Sequence, residues 1–336
     1  MALHVGLALP NQHLRSADQF VCLNEQIQIV RRARDLGWDS VWGGQHFLMS
    51  EFSMLQPIPY LSRLAAESGN MQLGLGISLL ALLNPVQVAE DLASLDVISE
   101  GRLIAGFGLG YRDLEYGAFG LSKIGSTRRF EDNLDALKRL WAGESGIELP
   151  WCSVPEGELS VLPRQQPRPQ IWMAAHSDKA VLRAARTADA WYISPHVTLS
   201  TVSRQMKLYR EARRSSGLSS SVVPIAKEIF CARTTEEAIA TGGPFITGKY
   251  DAYAAWGQDQ VLPEDVSFRD DLESLSQGRF VIGSPELCRQ QLAEVVTKVQ
   301  PSHLVLRVHW PAMPLDVALS SLELLSAEVV PALRDL

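Results

Sequence analysis

Three short segments of the sequence combine side chains capable of chemistry with glycines or other small residues. They are Gly43–Phe47 (GGQHF), Gly108–Glu115 (GLGYRDLE) and Ala174–Ser177 (AAHS). A glycine has no Cβ, so a flat or phosphorylated ligand can approach its backbone closely. Packing and tight turns would also explain these glycines, and the sequence leaves both interpretations open.

His46 is the candidate acid or base among these residues. An imidazole changes its charge within the physiological pH range, so it can give or take a proton at a reacting centre. A single histidine can also be an ordinary structural residue.

Ser177 lies just before a helical pattern that runs from Asp178 to Thr187. Backbone N–H groups at a helix start, together with a serine hydroxyl, suit an anionic oxygen such as that of a phosphate. Simple capping of the helix by Ser177 or Asp178 is the competing explanation, and the two roles are compatible.

Eight apolar runs, each followed by a helical pattern, must position these segments. The predicted strands are Leu3–Leu9, Asp39–Trp42, Met71–Leu79, Arg102–Phe107, Pro169–Ala174, Ala190–Ser194, Val222–Ala232 and His303–His309. This alternation predicts an α/β fold in one domain, residues 1–336, with an eight-stranded (β/α)8 TIM barrel as the simplest closure. Active sites of such barrels lie at the carboxyl ends of the strands, where the three segments fall.

Residues 234–279 interrupt the alternation between the seventh predicted strand and its helix. This insertion contains Gly242-Gly243-Pro244, which we interpret as a turn and hinge, and a group of aromatic residues. A long segment after a barrel strand is expected to fold over the site, so we predict a lid.

Charge and composition exclude several functions. A formal net charge of −7 argues against nucleic acid or an anionic membrane as the main partner. No run is long enough to span a bilayer. The four cysteines are isolated from one another and from any histidine ladder, which indicates a reduced cytoplasmic protein with no metal site.

The stretch from Met71 to Gly120 carries the most specific pattern, a β-α-β unit with glycines where its strands end. The pattern consists of Pro85, Ala89-Glu90-Asp91, Leu95-Asp96, Ser99, Gly101-Arg102-Leu103, Gly106, Gly108, Gly110-Tyr111, Glu115 and Gly120. This string resembles the bacterial luciferase-like family of flavin-dependent oxidoreductases. The resemblance extends over nearly the full chain.

The resemblance implies a flavin site around His46. Gln45-His46-Phe47 is similar to a Glu-His-His motif of the family, without its acidic residue and second histidine. Gly76-Ile77 stands where family members often carry a non-prolyl cis peptide that props the flavin ring, although an ordinary trans strand is the alternative. Gly108 is a candidate cofactor-binding residue, and Asn84 stands near where the ring edge or the substrate would lie.

The resemblance also implies a phosphate cradle at Ala175, His176 and Ser177. Arg128 resembles an arginine that joins this cradle from the start of the next helix. Leu109 replaces another arginine that some members use, which leaves neutralisation of the phosphate to Arg128. Glu115 is a family position expected to orient its own loop.

The function implied is that of an FMN-dependent monooxygenase. Reduced FMN, supplied by a separate flavin reductase, would react with oxygen to oxidise a small organic substrate, apolar or aromatic in character. A deazaflavin-dependent oxidoreductase that transfers hydride is the alternative within the family, and a non-catalytic flavin-binding protein is the alternative from another class. The resemblance further implies a homodimer.

Overall fold

The computed structural model describes residues 3–263 and 268–336. Its strands are β1 (His4–Ala8), β2 (Gln12–Leu14), β3 (Ser40–Gly43), β4 (Phe52–Met54), β5 (Gln72–Leu75), β6 (Leu103–Phe107), β7 (Ile147–Leu149), β8 (Cys152–Val154), β9 (Gln170–Ala174), β10 (Ala190–Tyr192), β11 (Pro224–Cys231), β12 (Val281–Gly283) and β13 (His303–Arg307). Its α-helices are α1 (Gln19–Asp35), α2 (Pro57–Ala65), α3 (Pro85–Ile98), α4 (Asp113–Ala118), α5 (Ser126–Trp141), α6 (Asp178–Thr187), α7 (Leu199–Ser215), α8 (Thr235–Ala255), α9 (Leu272–Ser276), α10 (Pro285–Val299), α11 (Leu315–Leu324) and α12 (Val330–Arg334).

Nine strands form one parallel sheet in the order β10-β9-β6-β5-β3-β1-β13-β11-β12. Each of the eight predicted strand segments overlaps one of them, and the ninth, β12, is a short strand that the sequence did not predict. Ile193, just after β10, forms a parallel bridge with Ile225 of β11. The Ile193 N–H donates to the Pro224 carbonyl at 3.0 Å, and the Ala226 N–H donates to the Ile193 carbonyl at 2.8 Å. The α/β sheet therefore curls until β10 meets β11.

Aromatic side chains fill part of the inside of this curled sheet. The ring of Trp42 stacks on Trp172 with centroids 4.9 Å apart and on Tyr192 at 5.3 Å. A Cβ on Gly74 would lie 2.0 Å from the Trp42 ring, and one on Gly106 would lie 1.9 Å from the carbonyl oxygen of Leu75. For these two glycines, close packing alone requires the missing side chain.

The predicted turn and hinge at Gly242-Gly243-Pro244 is wrong. These residues lie inside α8, the helix that begins the predicted lid at its Thr234 N-cap. Gly242 is needed there for packing, because a Cβ would approach the Phe230 ring at 2.4 Å. The predicted lid extends over residues 264–267, which lie outside the described residues.

Two small antiparallel hairpins, β2 with β4 and β7 with β8, lie outside the main sheet. The second lies between α5 and β9. Across the described residues, every helix is too short or too polar to cross a membrane.

Candidate active site

A cavity of about 370 Å³ opens at the carboxyl ends of the parallel strands. The predicted site residues that line it are His46, Gly76, Ile77, Gly108, Ala175, His176 and Ser177. The three segments singled out from the sequence therefore meet at one place.

The remaining two predicted site residues, Asn84 and Arg128, are not part of this lining. Asn84 is the N-cap of α3, where its side chain accepts a hydrogen bond from the Val86 N–H at 2.9 Å. The Arg128 side chain is 73% exposed and forms a salt bridge with Asp132 at 2.9 Å. Lys123, on the loop before α5, lines the cavity instead.

The Gly76–Ile77 peptide bond is cis, which confirms the cis alternative at this position. A Cβ on Gly76 would meet the Tyr192 hydroxyl at 3.2 Å, and one on Gly108 would lie 2.6 Å from the end of the Ile77 side chain. Together with Ala174 and Ala175, these residues make a wall of the cavity from which few side chains project. Gly76, Ile77, Gly108, Ala174, Ala175 and Ser177 are called the small-residue wall below.

Ser177 lies at the end of the small-residue wall and caps α6, where its hydroxyl accepts a hydrogen bond from the Ala180 N–H at 3.3 Å. Capping is therefore one of its roles, and its position on the cavity leaves the anion-binding role compatible. The backbone carbonyl of His176 accepts a hydrogen bond from Gln205 at 2.6 Å, which fixes the loop before the helix. Removal from water lowers the pKa of the His176 ring to about 4, so this imidazole is neutral at physiological pH.

His46 has an acidic partner that the sequence analysis did not identify. Its Nδ1 lies 3.0 Å from Oε1 of Glu115, a carboxylate that is fully buried. The same oxygen accepts a hydrogen bond from the Phe47 N–H at 2.8 Å, and the Arg112 guanidinium lies 3.4 Å away. Burial alone would raise the pKa of Glu115, but the His46 hydrogen bond, the Phe47 N–H and Arg112 outweigh it and lower that pKa.

This geometry orients the imidazole for acid–base chemistry. An ionised Glu115 accepts a hydrogen bond from Nδ1–H of the neutral ring. Nε2 is then left to accept a proton and later return it. The acidic residue missing beside His46 in the sequence is thus supplied from 69 positions further along the chain. The signal available in the sequence was that both segments follow strands that end at the same edge of the sheet.

The wall opposite the cis peptide is charged, and the sequence analysis missed it. Glu228 of β11 and Arg307 of β13 are paired residues of neighbouring strands, and both line the cavity. Lys249 of α8 lies behind them, with its Nζ 2.8 Å from Glu228 and 2.7 Å from Nε2 of His196. Glu228, Lys249 and Arg307 are called the charged wall below. The visible signal was a Lys227-Glu228 pair in an otherwise apolar strand.

Charge pairing opposes the effect of burial at Glu228 and Lys249. Burial alone would raise the pKa of Glu228, but Lys249 and Arg307 lower it. Burial lowers the pKa of Lys249 to about 8 against the opposing effect of Glu228. The adjacent Lys227 donates to the carbonyls of Gly278 and Arg279 at 2.8 and 2.9 Å, and burial, with help from Arg279, lowers its pKa to about 7.

Comparison with known proteins places this geometry in a family. The oxygenase component of the flavin-dependent trigonelline monooxygenase of Acinetobacter baylyi is 23% identical over 241 residues, which cover 70% of this chain and 67% of that protein. The oxygenating constituent of 3,6-diketocamphane monooxygenase from Pseudomonas putida, solved in complex with FMN, superposes with a TM-score of 0.81 at 21% identity over 98% of both chains. An F420-dependent secondary alcohol dehydrogenase superposes with a TM-score of 0.78 at 13% identity over 99% of both.

The match to a whole family also covers most of the chain. Residues 3–299 match the family described as luciferase-like monooxygenase, as the resemblance in the sequence predicted. The chain therefore belongs to the luciferase-like monooxygenase family of oxidoreductases.

Proposed function

We propose that this protein is the oxygenase of a two-component system that uses reduced FMN and O2 to oxidise a small organic substrate. The observation that carries the proposal is the juxtaposition, in one cavity, of the small-residue wall and the His46–Glu115 pair. Bound reduced FMN would supply the electrons that activate oxygen. Relatives in this family are named as flavin-dependent monooxygenases.

The lining of the cavity fits a flavin. A flat ring can lie against Gly76, Ile77 and Gly108, since the two glycines have no Cβ and an added one would crowd a neighbouring side chain. The backbone before α6 and the Ser177 hydroxyl suit the phosphate, with Lys123 as a cation of the cavity lining. Arg128 remains a prediction for the same phosphate, and Asn84 for the ring edge or substrate.

Different residues of the cavity have different roles in the proposed reaction. The small-residue wall orients the ring, and His46, held by Glu115, gives or takes a proton next to it. The segment after α8 covers the cavity, to which it contributes Gln258 and Val261. We therefore still propose that this segment is a lid. We no longer propose a hinge, because a helix lies where the hinge was expected.

The architecture belongs to the same proposal. We infer a closed (β/α)8 barrel in a single domain, with residues 234–279 inserted after its seventh strand. The bridge between Ile193 and Ile225 supports closure, since it joins β10 to β11. A homodimer and a separate flavin reductase complete the proposed system.

A second candidate is hydride transfer with a deazaflavin, supported by the similarity of fold to an F420-dependent dehydrogenase. Rapid mixing of the purified protein with reduced FMN and dissolved oxygen distinguishes the two. We expect a flavin–oxygen absorbance transient that the free flavin lacks. Binding of F420 with no such transient would favour the deazaflavin, and retention of flavin without turnover of either cofactor would indicate a binding protein.

A further inference from the structure

The charged wall contains more positive than negative charge. Glu228 is the single acidic side chain of its described residues, and it faces both Lys249, at 2.8 Å, and Arg307, at 3.7 Å. An arginine keeps its charge at any physiological pH, and a buried charge is costly unless it is paired. One carboxylate is therefore paired with two buried cations.

Arg307 has a free donor at this place. Its side chain is 8% exposed, its Nε donates to the His309 carbonyl at 3.0 Å, and its Nη1 is directed toward Glu228. Within residues 3–263 and 268–336, no atom accepts a hydrogen bond from the buried Nη2. Nη2 itself is covered by protein, so a bound molecule can supply the missing acceptor through a small rotation of the guanidinium of Arg307, which lines the cavity.

The surroundings indicate what kind of molecule fits. Ala8, Trp42, Tyr192, Ala226 and Val305 line the same cavity as Arg307, so the body of a ligand in it would lie against largely apolar surface. Among the described side chains of the lining, Glu228 is acidic whereas Lys123, Lys227 and Arg307 are basic. A ligand with one negative group at its end matches this distribution.

We propose that the charged wall is the substrate subsite and that it selects an apolar or aromatic organic acid, whose carboxylate is bound by Nη2 of Arg307. This inference rests on the proposed monooxygenase function, whose substrate class it specifies. The position supports a substrate rather than the flavin phosphate, because Arg307 is on β13, which β3 and β1 separate from β5 and the cis peptide that follows it. The phosphate has its own candidate cation in Lys123.

Benzoate and benzamide are suitable probes because they share size and ring but differ in charge. Calorimetric titration of the FMN-loaded protein should show benzoate binding at least about tenfold more tightly, since a hydrogen bond to a charged group contributes that much. Arg307→Met should bring the ratio of affinities close to one by weakening benzoate alone. Arg32→Met, which removes the same charge from an exposed salt bridge with Glu323, should leave the ratio unchanged.

Two further variants test the sign of the effect. Arg307→Lys keeps the charge and should retain part of the preference for benzoate. Glu228→Gln removes the competing carboxylate and should increase the preference, whereas a purely structural role would make every change at this wall weaken binding. These two variants and the wild-type ratio decide the matter if Arg307→Met fails to fold by circular dichroism.

Equal affinity for benzoate and benzamide in the wild type, or an unchanged ratio in Arg307→Met, would overturn the inference. A loss of FMN affinity in Arg307→Met equal to the loss for benzoate would assign Arg307 to the flavin and would overturn it too. The result is separable from the proposed function. A preference for benzoate in a protein that does not react with reduced FMN and oxygen would reject the monooxygenase and keep the acid subsite. A protein that reacts with reduced FMN and oxygen but shows no preference for benzoate would keep the monooxygenase and reject the acid subsite.

Discussion

The two walls of the cavity are built in opposite ways. The small-residue wall presents backbone to the cavity with few projecting side chains, and at Gly76 and Gly108 an added Cβ would also crowd a neighbouring side chain. The charged wall instead places three ionised groups in the protein interior, where Glu228 is shared by Lys249 and Arg307. The first wall offers backbone and flat surface, and the second offers charge. A ring and an acidic group are the natural complements of these two walls.

The comparison also separates binding from chemistry. His46 and Glu115 follow β3 and β6, and they belong to neither wall. Binding can therefore be changed at either wall with the acid–base pair intact, and the pair can be changed with both walls intact. The predictions below use this independence, from the largest expected effect to the smallest.

Replacement of His46 by alanine should produce the largest effect. We expect turnover to fall by about two to four orders of magnitude, the usual contribution of a positioned acid or base, with FMN affinity nearly unchanged. Turnover is measured with a saturating substrate, and flavin affinity by fluorescence titration. Wild-type turnover in this variant would remove His46 from the chemistry, and a parallel loss of FMN affinity would make it part of the binding surface.

The contrast between the walls also explains what could be predicted from the sequence. Glycines, the order of strands and the pattern from Pro85 to Gly120 are local features, and they indicated the α/β fold, the family and seven residues of the cavity lining. The sequence could not settle whether Gly74 and Gly106 serve a ligand or packing, because the answer lies in the ring of Trp42 and the carbonyl of Leu75.

The unpredicted features depend on contacts between distant segments. Glu115 reaches His46 across 69 residues, and Lys249 reaches Glu228 from a helix that we predicted as part of an irregular lid. The error at Gly242-Gly243-Pro244 has the same origin. Turn propensity was outweighed by packing of Gly242 on Phe230, and the helix continues through the proline.

Acid should destabilise the protein through the charged side of the cavity. Burial, followed by the charges of His13 and Arg307, lowers the pKa of His309 to about 3 from an ordinary value of 6.5. As the pH falls below 6.5, the unfolded chain therefore takes up a proton that the folded protein refuses until the pH is near 3. The free energy of unfolding must fall across that range, by up to about 1.4 kcal/mol per pH unit for this group.

The variant His309→Gln tests this effect. Between pH 7.5 and pH 5 it should lose about 2 kcal/mol less unfolding free energy than the wild type in urea titrations. His176→Gln, next to the small-residue wall, should reduce the loss of unfolding free energy by a smaller amount, because His176 is only half-buried. An identical pH dependence for the wild type and His309→Gln would show that other groups cause the acid sensitivity.

Replacement of Lys123 by alanine should weaken FMN binding by about 1.5 kcal/mol, the lower end for a hydrogen bond to a charged group, because this lysine is partly exposed. Riboflavin, which has no phosphate, should bind almost as before. Arg128→Ala is the matched comparison, and we expect a smaller loss there since its side chain is more exposed and, unlike Lys123, does not line the cavity. A larger loss in Arg128→Ala would restore Arg128 as the main phosphate residue, and equal losses for FMN and riboflavin would indicate damage to the fold.

The smallest expected effect concerns the proposed lid. Trp256, just after α8, stacks on Tyr253 with centroids 5.0 Å apart and donates a hydrogen bond to Glu51 at 2.9 Å. Its ring also lies 5.6 Å from that of His46, so it fixes the cover next to the reacting centre. A closed cover excludes water, which would otherwise divert reduced oxygen to free hydrogen peroxide.

Trp256→Ala should therefore raise peroxide release per flavin consumed by roughly twofold to fivefold, a change of about 0.4–1 kcal/mol in relative barriers. The measurement is peroxide against product in the same reaction, and Phe20→Ala, an exposed aromatic residue on α1, is the control. Unchanged coupling with a normal circular dichroism spectrum would refute a covering role for this segment, and a changed molecular mass in solution would identify it as a contact between subunits instead.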